Sequence, residues 1–181
     1  GPKRVITRSE GSTLFELDGQ PALDLYRAYL GEQATELPSS ALLFPLQISS
    51  PNGNQSLVRT VLAVDSDANA MRFAGDIPQG WNAQLMRTTF DRLIDGAVQA
   101  ASNGVQHDSE GETLAFAVSC VGRRLVMGDR VEDEAEACQD VLGPDVTLRG
   151  FYSYGEISPV EGFVGLHNQT MTLTTMSERS T

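Results

Sequence analysis

Three short runs in this chain carry more polar chemistry than packing requires. Ser119-Cys120-Val121-Gly122-Arg123-Arg124 sets a thiol just ahead of two adjacent cations. Cations lower a thiol's pKa, so Cys120 has the makings of a nucleophile, while the plain reading of a free cysteine is a small buried hydrophobe. Arg123 and Arg124 could clamp a planar carboxylate from the turn that Gly122 permits, or pair with the acids that follow. In Gly150-Phe151-Tyr152-Ser153-Tyr154-Gly155-Glu156-Ile157, the residues Tyr152, Tyr154 and Glu156 alternate. On an unbroken strand they share one face, and a carboxylate beside two phenols selects an amine or holds an arginine. Leu166-His167-Asn168-Gln169-Thr170 holds one of only two histidines. A neutral imidazole at His167, with Asn168 beside it, suits a metal, an iron porphyrin or a substrate, and equally suits a hydrogen-bonded structural role.

The other candidates are weaker. His107, in Gln106-His107-Asp108-Ser109, has no visible partner and reads as solvent-exposed. Cys138 falls on an apolar helical face and reads as packing. Asp65, Asp67 and Asn69 alternate like the opening of a calcium loop, but Ala70 stands where glycine is needed and Asp76 where a bidentate glutamate is usual. An Asx-rich hairpin turn explains them better. Phosphate-cradling, nucleophile-elbow, zinc-protease and paired C-x-x-C signatures are all missing. A dyad of Cys120 with His167 has no sequence evidence that the two meet, so a Cys120-dependent enzyme is only an alternative to a binding role.

Composition bounds the rest. Twenty-four acids against thirteen bases give a net charge of -11, which repels polyphosphates and argues against nucleic-acid partners. The acids of Asp129 to Asp140 read as a solvated helix face. No run of about 18 apolar residues is present to span a membrane. Two cysteines cannot frame a domain of this size, which points to a reducing, cytoplasmic setting. Gly1-Pro2 resembles a protease scar, which leaves residues 3–181 as a single expected domain.

Positioning these residues falls to a mixed set of elements. Val5 to Arg8 and Thr13 to Leu17 form an opening hairpin around Glu10-Gly11. A helix follows Pro21 and stops at Gly31. After a loop over Glu32 to Ser40, strands are expected at Ala41 to Ile48, Leu57 to Val64, Ala70 to Phe73 and Trp81 to Arg87. Thr88-x-x-Asp91 resembles a capping box for a helix bearing Leu93, Ala97 and Ala101. The apolar run Thr113 to Cys120 reads as a central strand covered on both faces. A third helix carries Val131, Ala135, Cys138 and Leu142, and strands over Val146 to Ile157 and His167 to Met176 close the chain. The fold class expected is α+β, with an antiparallel-rich sheet of about seven or eight strands and three main helices.

Five elements occur in an order that resembles the C-terminal FIST domain. They are Asp18-Gly19-Gln20-Pro21-Ala22, Gly75-Asp76-Ile77-Pro78, Ser119-Cys120-Val121-Gly122-Arg123, the Gly150 to Ile157 run and Leu166-His167-Asn168-Gln169-Thr170. The resemblance implies a sensory, non-enzymatic module of a signalling protein that binds amino acids or similar small molecules and follows an N-terminal FIST domain in the same parent chain. Some members of that family are linked to haem and nitric oxide, which would make His167 an axial ligand. F-box members imply a third role, recruiting protein partners. The expected ligand site joins Cys120, Gly122, Arg123, Arg124, Tyr152, Tyr154, Glu156, His167 and Asn168, with an arginine on the ligand's carboxylate and Glu156 with the tyrosines on its polar end.

Overall fold

A computed structural model describes residues 1–105, 111–160 and 163–178. His107, expected to be exposed, lies outside the described residues. In chain order the elements are β1 (Lys3–Glu10), β2 (Thr13–Leu17), β3 (Gln20–Pro21), α1 (Ala22–Leu30), β4 (Leu46–Ser49), β5 (Ser56–Arg59), β6 (Val61–Asp65), β7 (Ala70–Phe73) and β8 (Asn82–Leu85). Then come α2 (Phe90–Gly104), β9 (Thr113–Cys120), α3 (Val121–Met127), α4 (Glu132–Leu142), β10 (Val146–Ser153), β11 (Glu156–Val160), β12 (Phe163–His167) and β13 (Met171–Ser177). The fold is α+β. By internal contacts the chain parts into two compact units: residues 1–88 with 157–168, and residues 89–156 with 169–181.

The first unit is built on an eight-stranded antiparallel sheet in the order β5-β4-β8-β1-β2-β7-β6, with β3 paired to β2. Gly11, at φ 52°, takes the left-handed conformation that the β1–β2 turn requires. Ile6, Leu14, Ile48, Met71 and Phe73 are fully buried beneath α1, whose Leu23 and Tyr26 complete the apolar core. Alternation made these strands readable, because inward residues recur every second position. Two boundaries differ from expectation. Residues Ser39–Leu43 form a 3₁₀ turn, so the strand expected from Ala41 begins only at Leu46. Thr60 breaks the strand expected from Leu57 to Val64 into β5 and β6.

The second unit is a three-stranded sheet with β9 in the centre, parallel to β10 and antiparallel to β13. Helices α2 and α4 bury Ala97, Ala101 and Cys138 on the face that also carries Leu148, Met171 and Leu173. On the other face Phe116 and Phe151 meet edge to face at 5.8 Å, and both are exposed, so β9 is not covered on both faces. Helix α2 is preceded by Thr89 as its cap residue, with no side-chain capping bond, and the expected Thr88–Asp91 box does not form. A fourth helix, α3, occupies the run read as a turn after Cys120. No helix among the described residues is long and apolar enough to cross a membrane.

Candidate functional site

The parallel pair β9–β10 brings most of the sequence-selected residues to its C-terminal end. Ser119 and Tyr152 are register partners, as are Cys120 and Ser153. Because side chains alternate across a strand, Ser119 and Tyr152 face one side and Cys120 and Ser153 the other, which divides the site residues into two clusters.

Glu134 of α4 is the hub of the first cluster. It is 1% exposed, and its Oε2 accepts bonds from Arg123 Nε at 2.9 Å and Arg123 Nη2 at 2.8 Å. Its Oε1 accepts the Ser119 hydroxyl at 3.0 Å and the Tyr152 hydroxyl at 2.7 Å. Arg123 Nη2 also donates to the Leu93 carbonyl at 2.7 Å. Burial, and then the Glu134 carboxylate, push the Tyr152 phenol well above its ordinary pKa, so Tyr152 is a fixed donor. Arg123 thus forms the pairing with the acidic helix, not a free clamp for ligand carboxylate. Arg124, on the exposed side of α3, lies 5.5 Å from the Tyr152 ring centroid.

Around Glu156 and Cys120 lies the second cluster. Glu156 is 2% exposed and accepts hydroxyl bonds from Thr170 at 2.9 Å and Ser153 at 3.2 Å, with the Cys120 thiol as a further donor. No cation pairs with it among the described residues. Burial raises its pKa, although those three donors oppose the rise. Cys120 is 5% exposed, and burial raises its thiol pKa against the pull of backbone N–H groups of Gly122, Gln169 and Arg123. The expected activation by neighbouring cations is therefore missing, because Arg123 is turned to Glu134 and Arg124 to Tyr152. Gly122 is itself buried in the first turn of α3, where its backbone serves the thiol. Burial likewise lifts the Cys138 thiol to about 11, in keeping with a packing role.

Tyr154 does not join either cluster. It is 89% exposed, because the bend at Tyr154-Gly155 separates β10 from β11 and ends the alternation that was to align Tyr152, Tyr154 and Glu156. His167 and Asn168 belong to the first unit, at the end of β12. The His167 ring is 5% exposed and its Nε2 sits 3.2 Å from the Ser158 carbonyl, so it offers no free ring edge to an iron porphyrin. Asn168, 1% exposed, accepts the Thr60 N–H at 3.3 Å and donates to the His167 carbonyl at 3.0 Å. The nine expected residues therefore resolve into an arginine–tyrosine group, a cysteine–glutamate group and a histidine–asparagine pair.

A cavity of about 430 Å³ opens in the second unit between α4 and strands β9 and β10. Ala117, Ala135, Leu148, Phe151 and Met171 give it apolar walls, and Ser119, Glu134 and Tyr152 are its polar lining. Glu134 was hidden in the sequence by the surrounding acids. Its spacing of four residues from the core residue Cys138 was the available signal, since positions i and i+4 share a helix face. Arg59 was also missed, although alternation with Leu57 and Val61 marked it as inward-facing. No group of metal-ligating side chains occurs among the described residues.

A family model described as FIST C domain matches residues 22–159. An uncharacterised protein of Mycobacterium tuberculosis is 26% identical over 183 residues, covering 96% of this chain and 47% of the relative. One from Mycobacterium bovis is 23% identical over 179 residues, 93% of this chain and 45% of the relative. An uncharacterised protein of the archaeon Methanocaldococcus jannaschii is 26% identical over 136 residues, 67% of this chain and 25% of its own length. The chain thus spans about half the length of the first relatives it matches, or less. No solved structure matches it.

Proposed function

Because the chain belongs to the FIST C domain family, we propose that it is the ligand-binding part of a sensory protein and that its second unit takes a small amphipathic molecule of amino-acid size. The observation that carries this reading is the cavity of about 430 Å³ between α4 and the β9–β10 pair. Its size falls in the range of small-molecule sites, which combine apolar walls with a few fixed polar groups. Here the apolar walls come from residues such as Leu148 and Met171, and the fixed group is Glu134, held by Arg123 and Ser119. A rigid polar floor supports affinity because little ordering remains to be done on binding.

An N-terminal FIST domain of the same parent chain is the natural partner, in keeping with relatives about twice as long as this chain. Sensing requires that the ligand bind one of two arrangements of that longer protein better than the other, since equal affinity shifts nothing. The reading is tested by screening amino acids and small amphipathic molecules against the 181-residue chain by thermal shift and ligand-observed NMR. Ala135 is exposed at the cavity wall, so Ala135→Trp fills the space without disturbing the core. A saturating ligand at about 100 times its Kd adds roughly 2.7 kcal/mol of stability. That gain is expected in the wild type and not in Ala135→Trp. A screen without hits, or hits that ignore the tryptophan, would overturn the assignment.

A further inference from the structure

In the first unit, the run Leu57-Val58-Arg59-Thr60-Val61 turns from β5 into β6. Alternation sends Arg59 inward with Leu57, and it ends 5% exposed. Its Nε donates to the Asp76 carbonyl at 3.0 Å, and its Nη1 to the carbonyls of Leu166 at 2.9 Å and Val58 at 3.2 Å. Nη2 has no acceptor among the described residues, and no carboxylate stands within ion-pair distance. Asp76 acts on the guanidinium only through space, opposing the larger effect of burial, which lowers its pKa. Gly75 makes room for the group, since a Cβ there would meet Arg59 Nε at 3.0 Å.

The next residue is incomplete too. Thr60 is 6% exposed, and its hydroxyl has no hydrogen-bond partner. Its backbone is fully engaged, with the N–H on Asn168 Oδ1 and the carbonyl accepting from Ala74. Arg59 and Thr60 are therefore tied to the same end of β12, one through Leu166 and the other through Asn168. A buried cation without an anion and a buried hydroxyl without a partner are each unfavourable, and native proteins leave few of either. Two in successive residues call for one acceptor that carries negative charge.

We propose that the Arg59–Thr60 corner of the first unit is a binding site for a small carboxylate, with one oxygen on Arg59 Nη2 and the Thr60 hydroxyl donating to the same group. A carboxylate fits better than a phosphate. It is planar, as the guanidinium edge is, and a single charge meets less repulsion from a chain of net charge -11. The site lies in the other unit from the α4 cavity and does not rest on that reading.

The experiment titrates sodium acetate against sodium chloride at constant ionic strength into the 181-residue chain, following the Arg59 side-chain ¹⁵N signals by NMR. Acetate is expected to move these signals saturably, and chloride is not. Thr60→Val should weaken acetate binding about tenfold, the loss of one hydrogen bond to a charged group. It should not lower the unfolding midpoint in chloride, because the hydroxyl makes no bond within the protein. Arg59→Lys, which keeps the charge and loses the planar fork, should weaken binding at least as much. Equal responses to acetate and chloride would overturn the site, as would acetate binding unchanged in Thr60→Val. Inorganic phosphate bound more tightly than acetate would overturn the assignment to carboxylates.

Discussion

Two arginines are almost equally buried, Arg123 at 3% and Arg59 at 5% exposure, and their surroundings are opposite. Arg123, in the second unit, meets a carboxylate through two N–H groups and a carbonyl through a third bond. Arg59, in the first, meets three carbonyls and no carboxylate among the described residues. The two glutamates repeat the contrast within the second unit. Glu134 has a cation, a phenol and a serine, whereas Glu156 has two hydroxyls and a thiol. Burial therefore does not separate structural from binding residues. Completeness of charge does: a closed pair holds the fold, and an open charge retains the capacity to take a ligand.

Breaking the closed pair should give the largest effect. Glu134→Ala strands a buried guanidinium and leaves Ser119 and Tyr152 without their acceptor, so a loss of about 3–5 kcal/mol is expected in urea unfolding. Replacing the pair together, as Arg123→Met with Glu134→Leu, should recover most of that loss, since apolar pairs of similar volume replace buried ion pairs at little cost. Asp76→Asn supplies the contrast. With no direct ion pair to Arg59, it should cost less than about 1 kcal/mol. Equal losses for Glu134→Ala and Asp76→Asn would erase the distinction between the two arginines.

Much of the fold was legible in the residues, and less of the site. The β1–β2 hairpin, α1 ending at Gly31, the β6–β7 hairpin, and α4 ending at Gly143 follow from alternation, helical spacing and glycine stops. These are local rules, and local sequence carries them. Which of two adjacent arginines turns inward was not legible, because it depends on where α3 begins, and Cys120 to Arg124 reads equally well as a turn. The Tyr152, Tyr154 and Glu156 face failed for a related reason. One bend at Gly155 reverses the parity of everything after it, as a one-residue slip does in any strand. Glu134 was obscured because eleven-residue α4 is acidic on nearly every face, so composition concealed a single inward position that periodicity alone reveals.

The open glutamate provides a test of opposite sign. Its folded pKa is raised above the ordinary 4.5, so the folded state holds the proton more firmly than the unfolded state. The resulting stabilisation is fully present below the ordinary value and disappears as pH rises through the raised folded value. Above that point Glu156 is a buried charge without a cation, and Glu156→Gln should be at least as stable as wild type at pH 7. At pH 4 the order should reverse or close. Denaturant midpoints of both proteins across that range decide it, and parallel pH curves would mean that Glu156 has a charge partner after all. The Glu134→Gln curve should run the other way, with a loss that persists at pH 7, because there the substitution removes an occupied ion pair.

The smallest effect is expected at Arg124, whose neighbour Arg123 is the closed charge. Arg124 is solvent-exposed, and its one described contact is with the Tyr152 ring at 5.5 Å. An exposed cation over an aromatic face contributes about 0.5–1 kcal/mol, and some of that is lost to screening as salt is added. Arg124→Ala should therefore lower stability by about that much, with the loss shrinking in high salt, whereas Arg123→Ala should cost several times more and respond little to salt. If the two alanine variants matched in size and salt dependence, the two arginines would share one environment. The inward turn of α3 that sets Arg123 against Glu134 would then be wrong, and with it the reason for assigning ligand recognition to the open charges.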